Sequence, residues 1–257
     1  MTLDAPGPNR AVRAGVITGR RAALEAVRAG RARRVLVAKG SRTTSGLREL
    51  LDACDDAAVD VQEVDRAELD RLASDHQGVV AEAAHVQPIG ERELSNRSYT
   101  RDAIVVVLDG ITDPQNLGAA ARSAEAGGAE LLVTRTRRAA DVSASAVRAS
   151  AGALLHLPHA RVANIPRALE RLKDLGFTVI GLDEEAERTI FDEDCPDGRL
   201  ALVVGSEERG PARLTRETCD LLVRLPMRGR VGSLNASASL AAALYGFVLP
   251  ARASRRS

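Results

Sequence analysis

The chain has 257 residues, enough for one large domain or two modest ones, and 45% apolar against 28% charged residues is the composition of a folded globule. Aromatic residues make up 2% and tryptophan is absent, which leaves a core of Val, Leu, Ile and Ala and excludes an aromatic base-stacking platform. A formal net charge of +1 hides an asymmetry: residues 1–50 hold eleven Lys and Arg against three acids, residues 51–100 four against twelve, and residues 201–257 nine against four. Basic ends around an acidic middle suit a polyanion partner met by selected surfaces, although arginine used as general surface charge gives the same totals, the chain having only two lysines. Cys54, Cys195 and Cys219 are an odd number without metal-ligand spacing; they read as reduced thiols, with no disulfide framework and no metal expected. No apolar signal segment opens the chain and no run approaches about 18 uninterrupted apolar residues, so a cytoplasmic protein without membrane association is expected.

Residues 1–14, with two prolines, a glycine and little apolar content, read as a flexible basic tail. A helix is predicted from Thr18 or Gly19 through Ala29, then a strand over Arg33 to Ala38, a helix over Leu47 to Cys54 and a strand over Val59 to Val64. Asp65 heads a helix through Ala73, and His76-Gln77-Gly78 turns the chain into a strand over Val79 to Ala84. This alternation implies a small layered α/β domain over 15–86. Residues 87–102 are polar and aperiodic and read as a linker. A second α/β domain, 103–257, opens on Ala103 to Leu108, whose unbroken apolar run marks a buried parallel strand. Asp113-Pro114 is a cap followed by proline at the first helical position, and that helix runs to Ala126 before Gly127-Gly128. Strands are predicted over Glu130 to Thr134, Phe177 to Leu182, Leu200 to Val204 and Leu221 to Leu225, and helices over Ser143 to Ser150, capped by Asp141, Ile165 to Leu175 and 235–249. Residues 183–198 are acidic and loop-like.

The glycines locate the chemistry. A dinucleotide-binding fold carries G-x-G-x-x-G straight after its first strand, and here that strand ends Leu108-Asp109-Gly110-Ile111-Thr112-Asp113 without it. They gather instead after the late strands, in Gly205-Ser206-Glu207-Glu208-Arg209-Gly210 and in Gly229 to Gly232, so a ligand site is expected near the C-terminus. Leu225-Pro226-Met227 followed by Ser233-Leu234-Asn235 reads, on its own, as an ordinary strand-to-helix turn rather than as a ligand loop. In the helix 114–126, Gly118 sits where a mid-helix glycine usually permits a close approach, and Arg122, one turn on, has the chemistry to bind phosphate; tight packing and a solvated charge are the plain alternatives.

Three signals stand in order: Asn116-x-Gly118-x-x-x-Arg122, Gly205-Ser206-Glu207-x-x-Gly210, and Leu225-Pro226-Met227 with Ser233-Leu234-Asn235-x-Ser237. Together they resemble the three motifs of the SpoU-type RNA ribose 2′-O-methyltransferases of the SPOUT class. Residues 15–85, with the His76-Gln77-Gly78 turn, resemble that family's L30e-like substrate-binding domain, and residues 102–250 its catalytic domain. The resemblance implies a C-terminal parallel-sheet α/β domain with a trefoil knot over roughly 200–245, an exception to the rule against threaded chains. It also implies S-adenosylmethionine (SAM) held by Gly205, Leu225, Met227, Ser233, Leu234 and Asn235, and a homodimer. Arg122 is implied as the residue that activates the ribose 2′-hydroxyl, although an arginine is a poor base and binding the RNA phosphate beside the target ribose suits it better; Asn116, Ser233 and Asn235 are polar positioners, and Glu207 braces the loops. Arg20, Arg21 and Arg28 belong to a strongly basic first helix expected to contact RNA phosphates. The layout resembles the branch acting on a guanosine of large-subunit rRNA. An antibiotic-resistance enzyme acting on another nucleotide of that rRNA, a tRNA guanosine methyltransferase and a non-catalytic RNA-binding protein are the alternatives. Two residues depart from the family pattern: Glu208, where many relatives have glycine, and Leu225, where isoleucine is commoner.

Overall fold

The computed structural model describes residues 15–254 apart from 43, 74, 85, 86, 208 and 231. The expected basic tail 1–14 and the departure at Glu208 therefore lie outside the described residues. The chain divides into two compact units, with the division between residues 85 and 86.

The first unit runs β1 (Gly15–Thr18), α1 (Arg20–Arg28), β2 (Ala32–Ala38), α2 (Ser45–Asp56), β3 (Asp60–Val64), α3 (Arg66–Leu72) and β4 (Val79–Ala83). Its sheet has the order β1-β4-β2-β3, antiparallel except for the β2–β3 pair. β1 was not expected from the sequence: four residues are too few to show a period, and they form a strand only because β4 offers them a free edge. Thr44 caps α2 by accepting the Leu47 N–H at 3.3 Å, whereas the Asp65 side chain makes no cap bond and pairs with Lys39 at 3.1 Å. The His76-Gln77-Gly78 turn is a lock. Nδ1 of the buried His76 accepts the Gly78 N–H at 2.9 Å, which leaves Nε2 as the donor to Asp70 at 2.9 Å.

The second unit begins with α4 (Glu91–Asn96), inside the segment read as a linker. That segment is part of the core. Leu94 is fully buried and Tyr99 nearly so, and Arg199 donates to the carbonyls of Tyr99 at 2.9 Å and Thr100 at 3.0 Å. Six residues give no readable helical period, and Glu93, accepting the Gly90 N–H at 2.8 Å, was the only local signal of a helix start.

Next come β5 (Ile104–Asp109), α5 (Pro114–Ala126), β6 (Leu131–Arg135), α6 (Ala144–Ala149), α7 (Ala153–His156), β7 (His159–Val162), α8 (Ile165–Asp174), β8 (Phe177–Leu182) and β9 (Arg199–Gly205). After them follow α9 (Arg213–Thr218), β10 (Leu221–Val223), α10 (Ala236–Ala243), a π-helical turn over Leu244–Val248 and α11 (Leu249–Ser254). The six strands form one parallel sheet in the order β10-β8-β9-β5-β6-β7. Every residue of β5 is buried, as its unbroken apolar run required. Asp113 caps α5, accepting the Gln115 N–H at 3.0 Å ahead of Pro114. The expected Asp141 cap is replaced by Ser143, whose hydroxyl accepts the Ala146 N–H at 3.2 Å; Asp141 instead pairs with Arg161 at 2.5 Å. α7, β7 and α9 are short and were not foreseen.

One sheet face carries α8 and α4, with Ile165, Leu169 and Leu172 on Val105, Val133, Ala201 and Val203. α5 and α10 pack together, and α10 also meets β9. The closing helix Ala236–Ser254 has 19 residues and by length and composition could cross a membrane, with 33% of its most apolar window buried. Ala236, Leu240, Ala243, Leu244, Phe247 and Val248 are its buried apolar side chains, while Tyr245 is 50% exposed.

Candidate active site

The site forms at the C-terminal ends of β5, β8 and β9, the edge where open parallel sheets present loops and helix N-termini to ligands. Three residues far apart in sequence meet there. Asn116 lies in the first turn of α5, Glu207 in the turn after β9, and Asn235 at the N-cap of α10. The Asn116 amide donates to Glu207 Oε1 at 2.6 Å. The Asn235 amide donates to the same oxygen at 2.6 Å and to Asn116 Oδ1 at 2.8 Å. Asn235 serves twice, because its Oδ1 accepts the Ser237 N–H at 2.9 Å and the Ser237 hydroxyl at 2.6 Å, closing the helix cap.

The Glu207 turn is held from behind. Gly205 touches the returning chain so closely that a Cβ there would overlap the backbone of Gly210 and Pro211. Gly210 donates its N–H to the Ser206 carbonyl at 2.8 Å and takes φ +61°, which glycine adopts without strain. The buried Asp109, at the end of β5, accepts the Ala212 N–H at 2.9 Å and the Thr215 hydroxyl at 2.6 Å, with Arg135 Nε at 3.1 Å. This carboxylate ties the strand that leads to Asn116 to the segment that carries Glu207. Sequence reasoning passed over Asp109, since an acid ending a strand looks like any turn residue.

A cavity opens beside the triad. Gly205, Glu207, Leu225, Met227, Ser233 and Leu234 line it; Asn235 is not among its lining residues, and its side chain is in the triad. Asp183 and Glu184, just beyond β8, line it as well, and nothing in the acidic stretch 183–198 had marked them. A second, more open cavity is lined by Gly110 to Asp113, Asn116, Ser206, Glu207 and Arg209. The two share Ser206 and Glu207.

Arg122 belongs to neither cavity lining. It lies six residues beyond Asn116, about 9 Å along the helix and roughly 240° around it. It is exposed and has no ion-pair partner among the described residues. Gly118 does mark a close approach, to a helix: a Cβ would lie 2.5 Å from the Ala146 carbonyl oxygen and 2.6 Å from Ala149 Cβ, so α5 and α6 pack backbone to backbone.

In the first unit the arginines separate. Arg20 donates to the Thr44 hydroxyl at 2.7 Å and Arg21 lies 3.5 Å from Glu25 with its side chain 68% exposed. Arg28, at the far end of α1, is met by Glu49 at 2.7 Å and Glu25 at 3.3 Å, so its charge is already answered. Cys54, Cys195 and Cys219 are not among the lining residues of either cavity; burial raises Cys54 to about 11 and Cys219 to about 12, leaving both protonated.

Residues 103–245 match the SpoU rRNA methylase family, and residues 16–89 match the RNA 2′-O ribose methyltransferase substrate-binding domain. The chain belongs to the SpoU methylase family. Among its SpoU relatives, a 23S rRNA (guanosine-2′-O-)-methyltransferase, RlmB, from Pseudomonas putida is 38% identical over 84% of this chain and 87% of its own length. An uncharacterized tRNA/rRNA methyltransferase of Mycobacterium avium is 40% identical over 86% of this chain and 72% of its own. The SpoU methyltransferase AviRb of Streptomyces viridochromogenes, solved in complex with AdoMet, superposes with a TM-score of 0.75 at 27% identity, covering 97% of this chain and 95% of that one.

Proposed function

We propose that this SpoU methylase transfers the methyl group of SAM to a ribose 2′-hydroxyl of RNA, with a guanosine of large-subunit rRNA as its target. The observation that carries the reading is the Asn116–Glu207–Asn235 triad, which joins the family's three motifs on the wall shared by two cavities. The first cavity fits the cofactor: Leu182, Val204, Leu225 and Met227 offer apolar cover for an adenine ring, and Ser206, Ser233 and Ser239 offer hydroxyls beside backbone groups. The knot expected over roughly 200–245 belongs to this reading, supported by the convergence of Gly205, Leu225 and Leu234 on one cavity. When bound, SAM supplies an electrophilic methyl group.

The chain's own residues orient the acceptor. The second cavity, beside Asn116, Glu207 and Arg209, takes the target nucleotide. Asn116 and Asn235 hold Glu207 with two amide donors and so fix the loop between the cavities. An arginine is always protonated and a poor base, so Arg122 takes the phosphate beside the target ribose, and that phosphate or a water accepts the 2′-hydroxyl proton. Ser233 lines the cofactor side of that wall. Arg20 and Arg21 contact RNA phosphates from the first unit, and Arg28 joins them by exchanging its exposed pairs with Glu25 and Glu49 for phosphate. A homodimer is part of the reading, with the exposed apolar side of the closing helix, including Tyr245, as its contact, and rRNA as substrate places the enzyme in the cytoplasm.

Isolated large-subunit rRNA, small-subunit rRNA and tRNA incubated with methyl-labelled SAM, followed by mapping of the modified ribose, test this. Label in a large-subunit guanosine 2′-O position is expected; label in tRNA alone overturns the substrate, and label on a base overturns the reaction.

A further inference from the structure

The cavity assigned to SAM has an unbalanced set of charges. Among the described residues, its ionisable lining side chains are Asp183, Glu184 and Glu207, three acids and no base. Two of them are engaged. Asp183 Oδ2 lies 2.5 Å from Arg216 Nε, and Arg216 also binds Glu185 at 2.8 Å, so that trio keeps one net negative charge. Glu207 is held by two neutral amides, which fix it without cancelling its charge.

Glu184 is different. Its side chain is exposed and makes no hydrogen bond or ion pair among the described residues. Its backbone is nonetheless fixed. Asp183 donates its N–H to the Val223 carbonyl at 3.0 Å and accepts the Glu185 N–H on Oδ1 at 2.9 Å, and the Ala186 N–H closes the turn onto the Asp183 carbonyl at 3.2 Å. β8 ends at Leu182, paired with Val204 of β9, and Glu184 and Ser206, each two residues past that pair, both line the cavity.

SAM carries a sulfonium, an ammonium and a carboxylate, net +1. Its product S-adenosylhomocysteine has a neutral thioether, net zero. The two differ by one methyl group and one positive charge. We infer that Glu184 makes this cavity select the cationic cofactor over its neutral product, so that the spent cofactor is the weaker ligand and leaves. The inference rests on reading the cavity as the SAM site. A partly solvated carboxylate contributes modestly, and a surface charge pair sets the scale.

Calorimetry with SAM, S-adenosylhomocysteine and sinefungin, an analogue with an ammonium group in place of the methylated sulfur, tests this on the full chain and on Glu184→Gln. Glu184→Gln should weaken SAM and sinefungin by about threefold to fivefold, the upper part of the range for an exposed ion pair, and leave the neutral product unchanged. The loss should shrink at high salt. In steady-state assays the variant should become correspondingly more sensitive to product inhibition. Equal weakening of all three ligands, or of none, overturns the charge selection while leaving the cofactor site standing. A native chain that binds none of the three overturns both.

Discussion

Asn235 performs two tasks that different substitutions separate. Its oxygen caps α10, and its amide completes the triad with Asn116 and Glu207. Serine is a good N-cap, but its hydroxyl is too short to reach Glu207; alanine can do neither. Losing the cap costs about 1 kcal/mol, within a range of about 0.5–2 kcal/mol. The triad bonds are exposed, so their loss adds up to about 1 kcal/mol in both variants. Asn235→Ala should therefore unfold more easily than Asn235→Ser by about 1 kcal/mol in denaturant titrations. Methyl transfer should behave otherwise. Both variants leave Glu207 with the Asn116 amide alone and loosen the wall between the cavities, so both should lose activity on the order of tenfold, the equivalent of about 1.4 kcal/mol in the barrier. Asn235→Ser with native activity would refute the role given to the triad. Equal stability of the two variants would refute the cap.

Arg122→Ala should abolish methyl transfer while leaving the thermal midpoint within about 1 °C, because the side chain is exposed and unpaired; near-normal turnover rejects its placement on the RNA. Gly205→Ala must push the Ser206–Gly210 turn outward, costing at least about 1–3 kcal/mol and cofactor affinity, and undiminished SAM binding in calorimetry rules this out. His159 is buried with Nε2 on the Thr134 hydroxyl at 2.8 Å, and burial, chiefly, lowers its pKa from 6.5 to about 4. Its stabilising contribution is complete above pH 6.5, where both folded and unfolded forms are neutral. It is lost as the pH falls, by roughly 1.4 kcal/mol per unit until about pH 4, because only the unfolded chain takes up the proton. The pH dependence of unfolding between 7 and 5 should flatten in His159→Gln, and an unchanged slope assigns the proton elsewhere.

Much of the architecture was legible because it is written in local patterns. The apolar run Ala103 to Leu108 had to be a strand buried on both faces, and Asp113-Pro114 and Asn235 carry helix starts in their own side chains. The three motifs were legible as an ordered set, and their order pointed to the C-terminal ligand site. The elements that were missed are β1, α4, α7, β7 and α9, each six residues or fewer. At that length there is no period to read, and a segment forms only because a neighbour supplies the missing hydrogen bonds or apolar cover.

The site itself divides the same way. The family resemblance named Asn116, Glu207 and Asn235, but 91 and 119 residues separate Asn116 from its partners, and only the packing of α5, β9 and α10 puts two amides on one carboxylate oxygen. Whether a charge is spent or free was also beyond the sequence. Arg20, Arg28 and Arg122 look alike as letters, yet Arg28 is met by two carboxylates and Arg122 by none. Asp109 and Glu184 are two ordinary acids until the fold buries one behind the Glu207 turn and leaves the other at the lip of a cavity. Residue type fixes the chemistry a side chain can perform. Its surroundings, assembled from strands distant in sequence, decide which of that chemistry is used.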